Sequence, residues 1–197
     1  MRIYLNDRVV HLARTKPEEP VYHHVATRKE VELLYISFEA DPSHKELVLF
    51  SEDYDQMKAD FMSQFRVVEA AGGFVRNERN EILFIFRRGH WDLPKGKIDN
   101  RNGGKEKRKA AALREVAEET GVFIADVVSK KGRTFHIFFE KRERYLKKTW
   151  WYEMRAPADQ PLVPQTEEDI TEVAWIPQER LKEVLAGAYP SLLKLFR

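Results

Sequence analysis

The sequence predicts an α/β protein, an α/β/α sandwich around a mixed sheet, preceded by a small α+β lobe. Three observations carry this. Ile82-Leu83-Phe84-Ile85-Phe86 is apolar on both alternating faces, the pattern of a central strand covered on each side. Amphipathic helical segments follow, one from about Glu106 to Thr120 and one from about Pro177 to Ala186. The pattern also changes near Phe65 to Val67, from helix-rich to strand-rich, which divides the chain into 1–66 and 67–197. The 197 residues give room for one medium domain plus a lobe, and a hydrophobic fraction of 43% is enough for a core.

In the lobe, Arg2 to Leu12 reads as two short strands around an Asn6-Asp7 turn, followed by a loop containing Lys16-Pro17-Glu18-Glu19-Pro20. Thr27 with Glu30 has the spacing of a capping box opening a helix. Leu47 to Phe50 reads as a buried strand, and Ser51 is placed to cap a second helix whose Tyr54, Met57, Phe61 and Phe65 share one face. That stripe is the ordinary signature of core packing; a dimerising role for the lobe is left open. From Val67 the expected strands are Val67–Phe74, Ile82–Arg88, Thr134–Glu140, Thr149–Met154 and Val173–Ile176, with a turn at Asn77 to Asn80 and an apolar tail helix around Ser191 to Phe196.

Composition bounds the function. There is no cysteine, so disulfides and thiolate metal sites are excluded, and a reducing, cytoplasmic setting is expected. Met1 to Asp7 lacks a long apolar leader core, and no stretch approaches the roughly 20 apolar residues of a membrane span. Net charge is +2 from 34 basic and 32 acidic residues, which provides no argument for nucleic acid as a partner.

The chemistry concentrates in Arg114-Glu115-Val116-Ala117-Glu118-Glu119-Thr120-Gly121-Val122. At about 100° per residue, Glu115, Glu118 and Glu119 share one face. Two unit charges about 5 Å apart repel by roughly 3 kcal/mol at an effective dielectric near 20, and a bound cation reverses that sign. An acidic helix face is most often merely solvated. Here Ala110, Leu113, Val116 and Ala117 predict a docked edge, Gly121 suits a left-handed cap, and Arg114 lies one turn before Glu118. Oxygen-only ligands favour magnesium or manganese over zinc.

Upstream stands Trp91-Asp92-Leu93-Pro94-Lys95-Gly96-Lys97-Ile98-Asp99. Together with the glutamate turn it resembles the signature of the Nudix hydrolases, G-x5-E-x7-R-E-U-x-E-E-x-G-U with U aliphatic, over Gly96 to Val122. The match departs between Gly96 and Glu106, where nine residues stand in place of five, so Asn100 to Lys105 is read as holding a four-residue insertion. Lys105 replaces the glycine before the first glutamate, with Gly103 and Gly104 available for the turn. The resemblance covers roughly Val67 to Pro177 and implies the sandwich fold, one to three divalent ions, and water attack on a diphosphate.

Carried over by position, it implies Glu115, Glu118 and Glu119 as metal ligands, with a backbone carbonyl at Lys95 or Gly96, and Arg114 as an orienting group. Glu106, nine residues before Glu115, would point away from that face on an unbroken helix. A base is expected from the later loop Pro164 to Asp169, with Glu168 preferred to Glu167, although Glu115 or Glu118 is an alternative. Arg87, Arg88, Lys95 and Lys97 suit a polyphosphate, while Gly72 and Gly73 suggest close backbone approach. Trp91, Trp150, Trp151 and Tyr152 are candidates for base stacking, though Trp150 and Trp151 point to opposite strand faces. His90 and His136 are more simply structural. Basic residues gather at Lys105–Lys109, Lys130–Arg133 and Lys141–Lys148, and the last segment would suit a highly phosphorylated substrate.

The expected activity is magnesium-dependent cleavage of a diphosphate linkage in a nucleoside diphosphate derivative or related polyphosphate. The Trp-Asp-Leu-Pro-Lys-Gly-Lys run resembles the box of dinucleotide polyphosphate and diphosphoinositol phosphate hydrolases. A non-catalytic nucleotide sensor on the same fold is the alternative, and an isomerase is disfavoured because its chemistry uses a cysteine.

Overall fold

The computed structural model describes residues 1–18, 21–101 and 104–196; Glu19–Pro20 of the expected loop, Asn102–Gly103 of the expected insertion, and Arg197 lie outside the described residues. The elements run β1 (Arg2–Leu5), β2 (Arg8–Ala13), β3 (His23–His24), α1 (Arg28–Ala40), β4 (Glu46–Phe50), α2 (Tyr54–Met62), β5 (Arg66–Arg76), β6 (Ile82–Arg87), β7 (His90–Asp92), β8 (Lys95–Lys97), β9 (Asn100–Arg101), β10 (Gly104–Lys105), α3 (Arg108–Thr120), β11 (Asp126–Glu140), β12 (Glu143–Arg155), β13 (Ile170–Ile176) and α4 (Gln178–Ala186). Short 3-10 helices occupy Thr166–Glu168 and Pro190–Phe196.

Contacts divide the chain into two units, Met1–Val68 with Phe135–Lys147, and Glu69–Thr134 with Lys148–Arg197. Residues 135–147, assigned above to the C-terminal part, therefore belong with the first unit. The reason is strand pairing: β1 runs parallel to β11 with Tyr4 opposite His136, and Ile137 and Leu146 enter the first unit's core. The pattern of local hydrophobicity carries no trace of such a long-range partner.

In the first unit, β1 and β2 form an antiparallel hairpin, while β4 pairs in parallel with both β2 and β3, so the pairing is mixed. Helices α1 and α2 bury Val31, Tyr35, Phe38, Met57 and Phe61 against it. The rings of Tyr35, Phe61 and Phe65 meet at centroid distances of 5.1 to 5.4 Å. The capping box forms as expected: Glu30 N–H donates to Thr27 Oγ1, and Thr27 N–H donates to Glu30 Oε2. Ser51 does not cap α2. Asp53 does, accepting from Gln56 N–H at 3.0 Å, because the helix starts at Tyr54 and Ser51 lies too far upstream to reach its free donors.

In the second unit the strand order is β13-β6-β5-β12-β11, with β7 paired to β6 and β8 to β5. Alternation assigns the side chains to two layers. Leu83 and Ile85 pack with Ala111, Ala112 and Val116 of α3, whereas Ile82 and Phe84 pack with Val184 of α4 and with Leu192 and Leu195 of the tail. All four of these β6 residues are fully buried, as an α/β/α sandwich requires of its middle strand. No helix among the described residues is long and apolar enough to cross a membrane.

The reciprocal cap on α1 generates a stability prediction. Thr27→Ala removes one side of the box and should lower unfolding free energy by about 1 kcal/mol, measured by equilibrium urea denaturation; Ser51→Ala, which disturbs no cap, should cost less.

Candidate active site

Helix α3 carries the carboxylates, and its docked edge differs from the one expected. Ala111, Ala112, Val116 and Thr120 are buried, whereas Ala110 and Ala117 are exposed. The helix is thus rotated toward its acidic side, and Glu119 lies at the core margin with 1% exposure. Glu118 remains open to solvent and Glu115 is half-buried. Gly121 closes the helix in the left-handed region, φ 73°, its N–H donating to Ala117 O.

Arg114 organises the first two carboxylates. Its Nη1 donates to Glu115 Oε1 at 2.6 Å and to Glu118 Oε2 at 2.8 Å. Its Nε and Nη2 grip both oxygens of Glu106 at 3.1 and 2.9 Å, and Nη2 also donates to Lys97 O at 3.0 Å. Sequence spacing placed Glu106 away from this cluster. It reaches Arg114 because α3 starts at Arg108, leaving Glu106 on non-helical backbone ahead of it. These hydrogen bonds, led by the one from Glu106, raise the Arg114 pKa further above its already high range. Burial pushes the Glu115 carboxyl up, opposed by Arg114 and aided by the nearby charges of Glu118 and Glu168.

The insertion leaves this arrangement intact. Strands β9 and β10 pair antiparallel, Gly104 opposite Arg101 and Lys105 opposite Asn100. At the base of this hairpin Glu106 N–H donates to Asp99 O at 2.9 Å, and Asp99 N–H donates to Glu106 Oε2 at 3.2 Å. The extra residues therefore project as a ladder whose ends meet where an uninterrupted loop would continue.

Glu119 has a separate set of partners. Lys95 N–H donates to its Oε2 at 2.7 Å, and Arg87 Nη1 stands 3.9 Å from its Oε1. Burial outweighs those partners and raises its pKa to about 7. The Lys95 ammonium, expected to face phosphate, instead donates to buried Asp92 Oδ2 at 2.5 Å. Burial works to lower the Lys95 pKa, but the charges of Asp92 and Glu119 hold it above its ordinary value. Asp92 escaped the sequence reading as a site residue; the three-residue spacing to Lys95 was the available signal.

Close packing explains the glycines. A Cβ on Gly96 would lie 1.9 Å from Glu115 Oε2, so strand β8 presents bare backbone to that carboxylate. A Cβ on Gly72 would meet Pro94 O at 2.4 Å, and one on Gly73 would meet Val116 Cγ2 at 2.6 Å. The expected close approach in β5 is to the β7–β8 loop and to α3.

Arg87, at the end of β6, also donates from Nη2 to Glu168 Oε2 at 2.9 Å. One guanidinium thus lies between the expected metal carboxylate Glu119 and the expected base Glu168. Arg88, in the left-handed region with φ 51°, is paired with Asp169 through Nε and Nη2 at 3.0 and 2.9 Å. Lys97 is exposed.

The aromatic candidates separate. Trp151 is buried and donates from Nε1 to Thr134 Oγ1 at 2.8 Å, and Tyr152 lies in the α3-side core. Both are therefore structural. Trp91 packs edge-on against Phe86 at 5.2 Å and Phe84 at 6.3 Å. Trp150 donates to Glu69 and lies beneath Arg108, with Lys148 and Arg133 nearby. His90 contacts Gly187 O and Tyr189, while His136 belongs to the first unit.

Among the described residues, no three carboxylate or imidazole groups converge on one point as they stand. Glu115 and Glu118 share Arg114 Nη1, whereas Glu119 is turned to Lys95. The donor chemistry nonetheless suits a hard cation: all oxygen, one carboxylate desolvated, and bare backbone at Gly96 facing a second. Glu119 supplies a test. With its pKa near 7 in the fold and about 4.5 when exposed, the native state holds the extra proton between those values, so stability falls as pH rises from about 4.5 to 7. In the presence of a chelator, Glu119→Gln should therefore raise the Tm relative to wild type at pH 8, by an amount that shrinks toward pH 5. Thermal scans across pH check this, and a pH-independent difference would contradict it.

A family model described as NUDIX domain matches residues 67–196. Over 106 residues the chain is 36% identical to a Mycobacterium tuberculosis protein provisionally named mutator protein MutT4, covering 53% of this chain and 40% of that one. The chain thus spans less than half the length of that curated relative. Its fold is similar to the Nudix domain of Shewanella oneidensis NrtR complexed with ADP ribose, with a TM-score of 0.50 and 19% identity over 71% of this chain and 94% of that one. A MutT protein from Methanosarcina mazei Go1 aligns with a TM-score of 0.49 and 22% identity over 68% of this chain and 92% of that one. With the domain match spanning 67–196 and the box residues gathered around α3 and β8, this chain belongs to the Nudix family.

Proposed function

We propose that the chain is a divalent-metal-dependent pyrophosphohydrolase that splits a diphosphate linkage in a nucleoside diphosphate derivative or related polyphosphate. The observation that carries this reading is the carboxylate cluster on α3, with Glu115 and Glu118 drawn to one guanidinium and Glu119 buried beside the Lys95 amide. Carboxylates crowded and desolvated in this way disfavour the empty state, and a cation relieves that cost. A purely structural helix has no use for it.

Glu115, Glu118, Glu119 and the Gly96 carbonyl would hold Mg2+ or Mn2+. When bound, such an ion neutralises the diphosphate and lowers the pKa of coordinated water. The chain's own groups do the rest. Arg114 orients Glu115 and Glu118 and is itself fixed by Glu106 and Lys97 O. Lys95 sets the rotamer of Glu119 through its N–H rather than gripping phosphate through its ammonium. Glu168 is the candidate to accept the proton of the attacking water, directly or through one relay. Substrate phosphate would compete for Arg87 and Arg88, displacing Glu168 and Asp169 from them and leaving Glu168 unpaired to act as base. Lys97 adds exposed charge, and the half-buried Trp91 is the aromatic surface nearest this loop in sequence. The ADP ribose bound by the Shewanella neighbour is itself a nucleoside diphosphate derivative.

The deciding experiment incubates the protein with Mg2+ and separate pools of dinucleotide polyphosphates, nucleotide sugars, ADP-ribose, nucleoside triphosphates and diphosphoinositol phosphates, and identifies the products. Binding without turnover of any pool would favour the sensor reading. Glu118→Gln or Glu119→Gln should abolish turnover while leaving the circular dichroism spectrum unchanged; undiminished activity in either would remove the metal-site assignment. Glu168→Gln should lower kcat by about 100-fold or more with little change in KM, the scale of a lost general base. An unchanged kcat would exclude that residue.

A further inference from the structure

We infer that the first unit carries a second ligand site, suited to an adenine nucleotide. The site is an open cavity of about 630 Å³ between the segment Ser63–Arg66, Glu39 of α1, and the hairpin residues Phe139 and Arg142–Arg144. Every lining residue belongs to the first unit, so none is shared with the carboxylate helix. Its volume lies within the range of small-molecule sites, about 300 to 1,000 Å³.

Three features specify the occupant. Gln64 lines the cavity, and both its Nε2 and Oε1 are buried without a hydrogen-bond partner. Buried amides are almost always satisfied, and a side-by-side donor and acceptor is the complement of the adenine N6–H and N7 edge. Arg142 provides charge. Its neighbours are committed, Arg144 to Glu39 and Arg66 to Glu143, but Arg142 makes no ion pair among the described residues. It stands exposed at the hairpin tip in the left-handed region, φ 65°, which leaves one guanidinium for one phosphate. Phe139, 51% exposed on the same cavity, offers a ring face on which a base can stack. A donor–acceptor pair, an aromatic face and a single uncommitted cation together describe a monophosphorylated adenosine more closely than a bare phosphate or an apolar ligand.

Calorimetric titration of AMP into the full chain, with a chelator present and no divalent metal, tests the site. Saturable one-to-one binding is expected, and it should persist unchanged in Glu118→Gln, which separates it from the Nudix centre. Arg142→Ala should weaken AMP at least tenfold while leaving adenosine binding untouched. Gln64→Leu should weaken both AMP and adenosine, yet raise the Tm of the free protein, because it removes an unsatisfied buried amide; an amide serving only the fold would show the reverse. Failure of AMP to bind at millimolar concentration, GMP binding as tightly as AMP, or AMP affinity that neither variant alters would each overturn the inference.

Discussion

The guanidinium of Arg114 is the interaction on which the second unit's site depends. Glu106, Glu115 and Glu118 all converge on it, and the Lys97 carbonyl fixes the β8 loop to the same group. Without that charge three carboxylates would repel one another at the margin of a core, with burial already pushing Glu115 up. With it, the acidic turn, the residue preceding the helix and the glycine loop become one network. Removal of one partner from such a network is costly because the others stay buried and unbalanced.

Glu119 is governed by a different balance. It belongs to the buried edge of α3, satisfied by a backbone N–H and only distantly by Arg87. The β7–β8 loop can offer that N–H because Lys95 is tied down by Asp92 and because Gly72 and Gly96 carry no Cβ to hold the backbones apart. Loop, helix and strand β5 thus approach to distances that ordinary side chains forbid. The hairpin at β9 and β10 is accommodated for a related reason: Asp99 and Glu106 close its base, so additional chain projects without displacing the ends.

Charge pairing also shapes the rim. Arg87 and Arg88 extend from β6 toward the acidic turn at Thr166–Glu168, and each finds a carboxylate there. A loop distant in sequence is brought to the helix cluster through one arginine, since Arg87 touches Glu119 as well as Glu168. In the first unit the same logic serves packing, where Arg144 pairs with Glu39 beside the Tyr35 ring and leaves Arg142 uncommitted.

Local chemistry was legible in the sequence. The apolar run of β6, the capping box at Thr27, the glycine cap at Gly121 and the one-turn spacing of Arg114 and Glu118 all depend on residues within a few positions of each other, where helical and strand periodicity decide geometry. Tertiary structure decided the rest. Which edge of α3 is buried depends on what it packs against, so Glu119 moved from an expected solvent face into the core margin. The choice of Asp92 rather than phosphate as the partner of Lys95, the recruitment of Glu106 by Arg114, and the assignment of 135–147 to the first unit all arise from contacts between chain segments that no local period encodes. The sequence by itself determined which groups carry the chemistry; only the fold decided which of them meet, because charges and bare backbone at these positions find their partners through packing.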